Sequence, residues 1–218
     1  MTAARKLVAE GLGTALLVAA VVGSGIMAQQ LAKDPAAALL CNTIATGGAL
    51  VALLLMFGPV SGAHLNPAVT VVMAMTRDLT PPLAAGYVVV QVIGAVAGAV
   101  LANAMFALDP ITLSTTVRSG FPNMLSEGVA TFGLVGVVIC VGRTRASIAP
   151  LAVAAYIVAA YWFTASTSFA NPAVTIGRAF SDTYAGIRPA DVAAFVAAQA
   201  VGASIGGLLF TWLIPLRE

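Results

Sequence analysis

The sequence predicts an all-α polytopic membrane protein: six spanning helices and two short re-entrant half-helices, laid out as an inverted internal repeat within one transmembrane domain, residues 1–218. Three observations predict it. Of the 218 residues, 60% are hydrophobic and only 8% are charged, whereas a soluble domain has about 25% charged residues. Six apolar stretches are each long enough to cross a bilayer core, which takes about 20 helical residues. The pentapeptide NPAVT occurs twice, at 66–70 and 171–175.

The first span covers residues 7–28. Arg5 and Lys6 ahead of it resemble the start of a signal peptide, but 22 apolar-dominated residues exceed an h-region and include Glu10. It is therefore read as a membrane helix, not a cleaved leader. The other spans are 36–57, 82–106, 124–142, 147–165 and 190–213. Polar or Pro/Gly breaks separate them, at 33–35, 80–82, 109–122, 143–145 and 181–189. Two further stretches, 66–75 and 171–180, are apolar but short. About ten helical residues make 15 Å, half the hydrocarbon core. Short apolar segments in matching places of two halves mark a site near the bilayer midplane.

The halves, about 1–108 and 122–218, match at three places. Glu10-Gly-Leu-Gly-Thr14 corresponds to Glu127-Gly-Val-Ala-Thr131, NPAVT to NPAVT, and Gln91-x-x-Gly94-Ala-x-x-Gly98 to Gln199-x-x-Gly202-Ala-x-x-Gly206. The offsets are 117, 105 and 108, so the repeat is real while its loops differ in length. Three spans separate the starts of the halves, so the second enters from the opposite side. With the N-terminus inside, Arg5, Lys6, Arg77, Arg143, Arg145 and Arg217 are cytoplasmic, and Lys33, Arg118, Arg178 and Arg188 are outside. That bias favours both termini in the cytoplasm of a multi-pass protein of the cell membrane.

Asn is a preferred helix N-cap, and Pro is preferred at the first helical position, where its missing N–H costs nothing. Asn66-Pro67-Ala68 and Asn171-Pro172-Ala173 therefore read as two helix starts near mid-membrane. Each start carries about half a positive charge. Together they oppose cations and protons, while the amides of Asn66 and Asn171 donate hydrogen bonds to a passing neutral solute. The first triplet sits in SGAHLNPAVT, an apolar connection where a plain loop would be polar.

SGAHLNPAVT, the second Asn-Pro-Ala and the Glu-x-x-x-Thr starts of spans one and four resemble the major intrinsic protein family, the aquaporins and aquaglyceroporins, over nearly the whole chain. The resemblance implies that family's fold, one pore per protomer, a homotetramer in membrane lipid, and no cofactor. It also implies a four-residue filter toward the outer mouth, usually aromatic plus an arginine directly after the second Asn-Pro-Ala. Here that position is Val174. The family's other filter positions transfer by spacing to Thr46, Ala159 and Ser168. All four are small and uncharged, which predicts a wider and less polar constriction than a strict water filter. NPAVTIGRAF further resembles a bacterial subgroup often encoded beside arsenic-resistance genes, which makes glycerol-like polyols and uncharged arsenic acids candidate solutes.

Arg178 lies one helical turn beyond Val174. It could lean into the outer vestibule as a displaced filter arginine or attract anions there. The expectation is instead a helix-end arginine that snorkels to the outer interface. Glu10 and Glu127 are intramembrane carboxylates, read as braces for re-entrant loop amides that lack water, with Gln91 and Gln199 assisting. Gly94, Gly98, Gly202 and Gly206 give faces for close helix approach. His64, the single histidine, is placed by the resemblance in the cytoplasmic half of the pore. Tyr161, Trp162 and Trp212 are read as packing or interface aromatics.

The function read from all this is a passive channel for water and small uncharged solutes. The rivals are an inverted-repeat secondary transporter using Glu10 and Glu127, and a leaky ion- or anion-permeable pore. A net charge of +2 gives no reason to expect nucleic acid. Cys41 and Cys140 sit in apolar runs with no metal-ligand spacing. No catalytic constellation and no metal site is expected.

Overall fold

The computed structural model describes residues 1–215; the expectation for Arg217 lies outside the described residues. Eight α-helices follow one another: α1 (Ala3–Leu31), α2 (Pro35–Ser61), α3 (Pro67–Met75), α4 (Pro81–Met105), α5 (Phe121–Thr144), α6 (Ala149–Phe163), α7 (Pro172–Arg178) and α8 (Pro189–Leu213). A single 3₁₀ turn, Ala146–Ile148, leads into α6. Among the described residues six helices are long and apolar enough to cross a membrane, α6 counted with its leading turn as Ala146–Phe163; α3 and α7 are the two short ones.

Local sequence explains the boundaries. Every helix after α1 carries a proline in its first two positions, where φ is preset and no N–H is lost. Asp34 caps α2 by accepting from the Ala37 amide at 3.0 Å. Gly62 ends α2 with a left-handed φ of 92°, a conformation free of strain only for glycine. The spans run a few residues past the apolar windows at most ends, because hydropathy reports lipid contact whereas caps decide where a helix stops. α4 stops one residue short, at Met105, and α6 two short, at Phe163, since Thr164 is extended and turns its hydroxyl back onto the Ala160 carbonyl at 2.6 Å.

The repeat organises the packing. α1 pairs with α4 as α5 pairs with α8, and α2 meets α6 between the halves. The small-residue faces sit at these seams. A methyl group at Gly94 would overlap the Gly11 carbonyl, and one at Gly202 would overlap the equivalent Gly128 carbonyl. One apolar cluster draws on both halves, including Leu17, Val22, Val69, Leu134, Ala173 and Val174. The chain between α4 and α5 straps across residues 179–188. Ser114 N–H donates to the Ala179 carbonyl (3.0 Å), Thr115 N–H to the Asp182 carboxylate (2.8 Å), and Arg188 N–H to the Thr116 carbonyl (2.8 Å).

Cys41 lies exposed on α2, Cys140 is half-buried, and neither is in a disulfide.

Candidate functional site

Both half-helices start at an asparagine. Asn66 caps α3 by accepting from Ala68 N–H at 2.9 Å; Asn171 caps α7 by accepting from Ala173 and Val174 at 3.0 and 3.3 Å. Each spends one side-chain N–H on the loop ahead of the other: Asn66 Nδ2 donates to the Ala170 carbonyl and Asn171 Nδ2 to the Leu65 carbonyl, both at 2.8 Å. An amide has two N–H donors, so one remains on each, and both residues line a common cavity.

The loops that deliver these asparagines are strained in the same places. Ala63 and Leu65 have φ of 47° and 48°; Ser168 and Ala170 have 51° and 47°. Left-handed φ costs a non-glycine residue roughly 1–2 kcal/mol. Buried carboxylates hold each loop in that form. Glu10 accepts from Ser61 Oγ (2.6 Å), His64 N (2.9 Å), Leu65 N (2.7 Å) and Gln91 Nε2 (2.8 Å). Glu127 accepts from Phe169 N (2.9 Å), Ala170 N (2.8 Å) and Gln199 Nε2 (2.6 Å). Gln91 also donates to Thr70 and Gln199 to Thr175, at 3.0 and 2.8 Å. The aromatic supports repeat too: His64 packs edge-on against Tyr87, and Phe169 edge-on against Phe195.

A cavity of about 420 Å³ runs from Gly142, Ala146 and Pro150, past His64, Asn66 and Asn171, to Thr46, Tyr161, Ser168, Val174 and Arg178. Pro150, Val153, Ile157 and Tyr161 give it one stripe of α6. Ala159 is exposed on the outer surface of α6 instead. Its assignment to the filter is corrected: two residues along a helix is a rotation of about 200°, which turns Ala159 away from the stripe. The spacing carried over from the family assumed a longer approach to Asn171 than this chain has. Tyr161 stands where Ala159 was expected, with its hydroxyl 3.1 Å from Thr46 Oγ1. The stripe at 150, 153, 157 and 161, with its helical 3-4-4 spacing, was the signal that could have found it.

Arg178 is corrected as well. It does not snorkel to the interface: it is 2% exposed and lines the cavity. Its guanidinium carbon lies 3.4 Å from the centre of the Phe169 ring, and its Nε donates to the Ala185 carbonyl. Its burial and the bond to Ala185, in the segment after α7, keep it from the interface.

On the far side a recess of about 480 Å³ is lined by Gln29, Thr116, Arg118, Asp182 and Tyr184, among others. Arg118 donates to the carbonyls of Gly186 (2.7 Å), Tyr184 (3.3 Å) and Ser166 (3.4 Å), and its guanidinium carbon is 4.9 Å from the same Phe169 ring. Burial pushes Arg118 below the usual arginine range. Phe169 thus touches a guanidinium from each compartment.

Residues 1–169 match the model of a family described as major intrinsic protein. The chain belongs to the major intrinsic protein family. It is 54% identical over 214 residues to aquaglyceroporin AqpS of Rhizobium meliloti, covering 98% of this chain and 92% of that protein. It is 28% identical over 229 residues to aquaporin Z of Bradyrhizobium diazoefficiens, covering 96% and 93%. The X-ray structure of the aquaglyceroporin from Plasmodium falciparum superposes with a TM-score of 0.72 at 16% identity over 96% of each chain; at that identity the likeness concerns the fold alone. As a member of this family the chain is a membrane channel for water and small solutes, and not an enzyme. The family match stops two residues before Asn171.

Proposed function

We propose that the channel passes water and uncharged solutes up to about the size of glycerol, passively and by one path per chain. The observation that carries this reading is Val174. It follows the second Asn-Pro-Ala and lines the same cavity as Thr46 and Tyr161, whose hydroxyls lie 3.1 Å apart. A lining that combines apolar side chains with a few hydroxyls suits a polyol, which carries both C–H and O–H surface. Uncharged arsenic acids are oxygen-rich solutes of similar bulk and belong to the same candidate class. The facing N-termini of α3 and α7 support exclusion of cations and protons.

We further propose that the chain sits in the cell membrane with both termini cytoplasmic, and assembles as a homotetramer. An even number of spans supports a common side for the termini. The exposed apolar residues along the long helices, such as Ile93, Leu101 and Ile205, supply surface for lipid and for neighbouring copies.

The test is stopped-flow light scattering on proteoliposomes, wild type beside Val174→Arg, with sucrose, glycerol and urea as osmolytes. Wild type is expected to re-swell with glycerol and urea, and Val174→Arg to lose that before it loses water flux. A wild type that passes water alone would overturn the size argument and leave Arg178 and Tyr161 as the closing groups.

A further inference from the structure

Arg118, on the strap, stands against a wall that the cavity and the recess share. Phe169 lines the cavity, and the Arg118 guanidinium carbon lies 4.9 Å from the centre of its ring. Arg118 itself lines the recess. α5 and α6 set the two compartments end to end. Gly142 and Ala149, near the end of α5 and at the start of α6, line one mouth of the cavity. Asn123 and Ala165, near the start of α5 and just past the end of α6, line the recess. The cavity stripe on α6 runs from Pro150 to Tyr161 and so heads toward the recess. Arg118 also donates to the carbonyl of Ser166, two residues before the cavity-lining Ser168.

Charge is scarce along this route. With His64 neutral, the charged side chains lining the two compartments are Arg178, Arg118 and Asp182. Arg178 is 2% exposed and lies against the Phe169 ring and the Ala185 carbonyl, so it offers a solute almost no surface. Asp182 is exposed, and its carboxylate already takes Thr115 N–H and Oγ1 at 2.8 and 3.0 Å; water and salt screen it. Arg118 is more buried than Asp182. Its guanidinium is held by the Gly186, Tyr184 and Ser166 carbonyls and the Phe169 ring, none of which is a counterion. The nearby carboxylates are otherwise engaged. Asp191 receives the Arg118 backbone N–H at 2.8 Å and pairs with Arg188, and Glu127 receives the Phe169 and Ala170 amides and Gln199. A fixed, partly desolvated charge acts through protein at a distance, so it need not touch the solute. Thr46, Tyr161, Ser168 and Val174 carry hydroxyls or apolar surface, and a hydroxyl oxygen accepts from a cation as readily as from a neutral N–H.

We propose that Arg118 is the charge-discriminating residue of the path: its fixed positive charge, held by the strap beside Phe169, turns cations away and lets neutral hydrogen-bonding solutes approach. This deepens the channel reading above and rests on it. The half-helix N-termini oppose cations at the two asparagines; Arg118 acts at the recess, before a solute reaches them.

The probes are urea and guanidinium, planar molecules of nearly one shape that differ in charge. Their uptake as radiolabelled solutes is measured in proteoliposomes of the full-length protein. Wild type is expected to take up urea and exclude guanidinium. In Arg118→Met the ratio of guanidinium to urea uptake is expected to rise about tenfold or more, the scale of one unit charge at an effective dielectric constant of about 20. Arg118 also pins the strap, so Arg118→Lys is the decisive partner: it breaks the fork of carbonyl bonds and keeps the charge, and its ratio should stay near that of wild type. Should Arg118→Met fail to purify as a single species, Arg118→Gln removes the charge while keeping a donor for the carbonyls, and its ratio should rise as well. An unchanged ratio in both uncharged variants would overturn the proposal. So would an equal rise in Arg118→Lys, which would make Arg118 a pin for the strap and nothing more. A wild type without urea uptake would count against the proposed function instead; guanidinium entry above protein-free vesicles in Arg118→Met or Arg118→Gln, but not in Arg118→Lys, would still assign the charge barrier to Arg118.

Discussion

Asn66 and Asn171 each hydrogen-bond the carbonyl of the residue that precedes the other, at the same 2.8 Å. Each side chain therefore does two structural jobs: its oxygen caps its own half-helix and its nitrogen ties down the opposite loop. Replacing either by Ala removes a cap, about 1 kcal/mol, and a cross-loop bond of about 1 kcal/mol. Asn66→Ala and Asn171→Ala are each expected to lose roughly 2 kcal/mol by these two contributions. The double variant should lose less than the sum, because both bonds tie the same two loops. Thermal unfolding of all four proteins in one detergent measures this; strict additivity would show that the loops are held independently.

Glu10 and Glu127 offset the strain of the left-handed residues beside each asparagine. A glutamine has one acceptor oxygen where the carboxylate has two, so Glu127→Gln leaves Phe169 or Ala170 N–H unpaired in a buried loop. A loss of at least about 2 kcal/mol follows, and Glu10→Gln should behave alike. The same geometry argues against proton carriage, since both oxygens of each carboxylate are already engaged. Wild-type solute flux in proteoliposomes should be linear in concentration and indifferent to an imposed pH gradient; gradient-driven, saturable uptake would favour the transporter reading.

The spans, the two half-helices and the internal repeat were legible because membrane burial and helix capping are local properties. A run of apolar residues or an Asn-Pro pair needs no knowledge of its neighbours. The bracing by Glu10 and Glu127 was legible because the repeat singles them out. The face of α6 was not, since each residue of shift rotates a side chain by about 100° and the spacing crossed a loop of altered length. Arg178 was misread for a related reason. Whether a helix-end arginine reaches the interface depends on what it meets, and here Arg178 meets the Phe169 ring and the Ala185 carbonyl, contacts that no local pattern announces.

Tyr161 and Ala159 offer a direct comparison on one helix. Tyr161→Phe removes the hydroxyl that meets Thr46 and is expected to cost about 1 kcal/mol; it should also shift the ratio of glycerol to water flux. Ala159→Leu adds bulk on the exposed face and should change neither flux. A change in selectivity with Ala159→Leu, and none with Tyr161→Phe, would restore the position expected from spacing.

Gly94 and Gly202 set the distance between paired spans in the two halves. At both, an added methyl group would overlap a backbone carbonyl of the partner helix, Gly11 or Gly128, and a helix backbone cannot retreat as a flexible side-chain tip can. α4 would have to move away from α1, carrying Gln91 from Glu10 and disturbing α7, where the Ala95 carbonyl would stand 2.7 Å from a methyl group placed on Gly177. Overpacking of this kind costs about 1–3 kcal/mol. Gly48 provides the control, because a methyl group there meets nothing within 4 Å, and Ala is favoured over Gly in a helix by about 1 kcal/mol. Gly94→Ala and Gly202→Ala are therefore expected to lower the unfolding temperature and reduce solute flux, while Gly48→Ala holds or raises stability with flux unchanged. If Gly94→Ala matched Gly48→Ala in both measurements, the close approach of α1 to α4 would not be what positions the re-entrant loop.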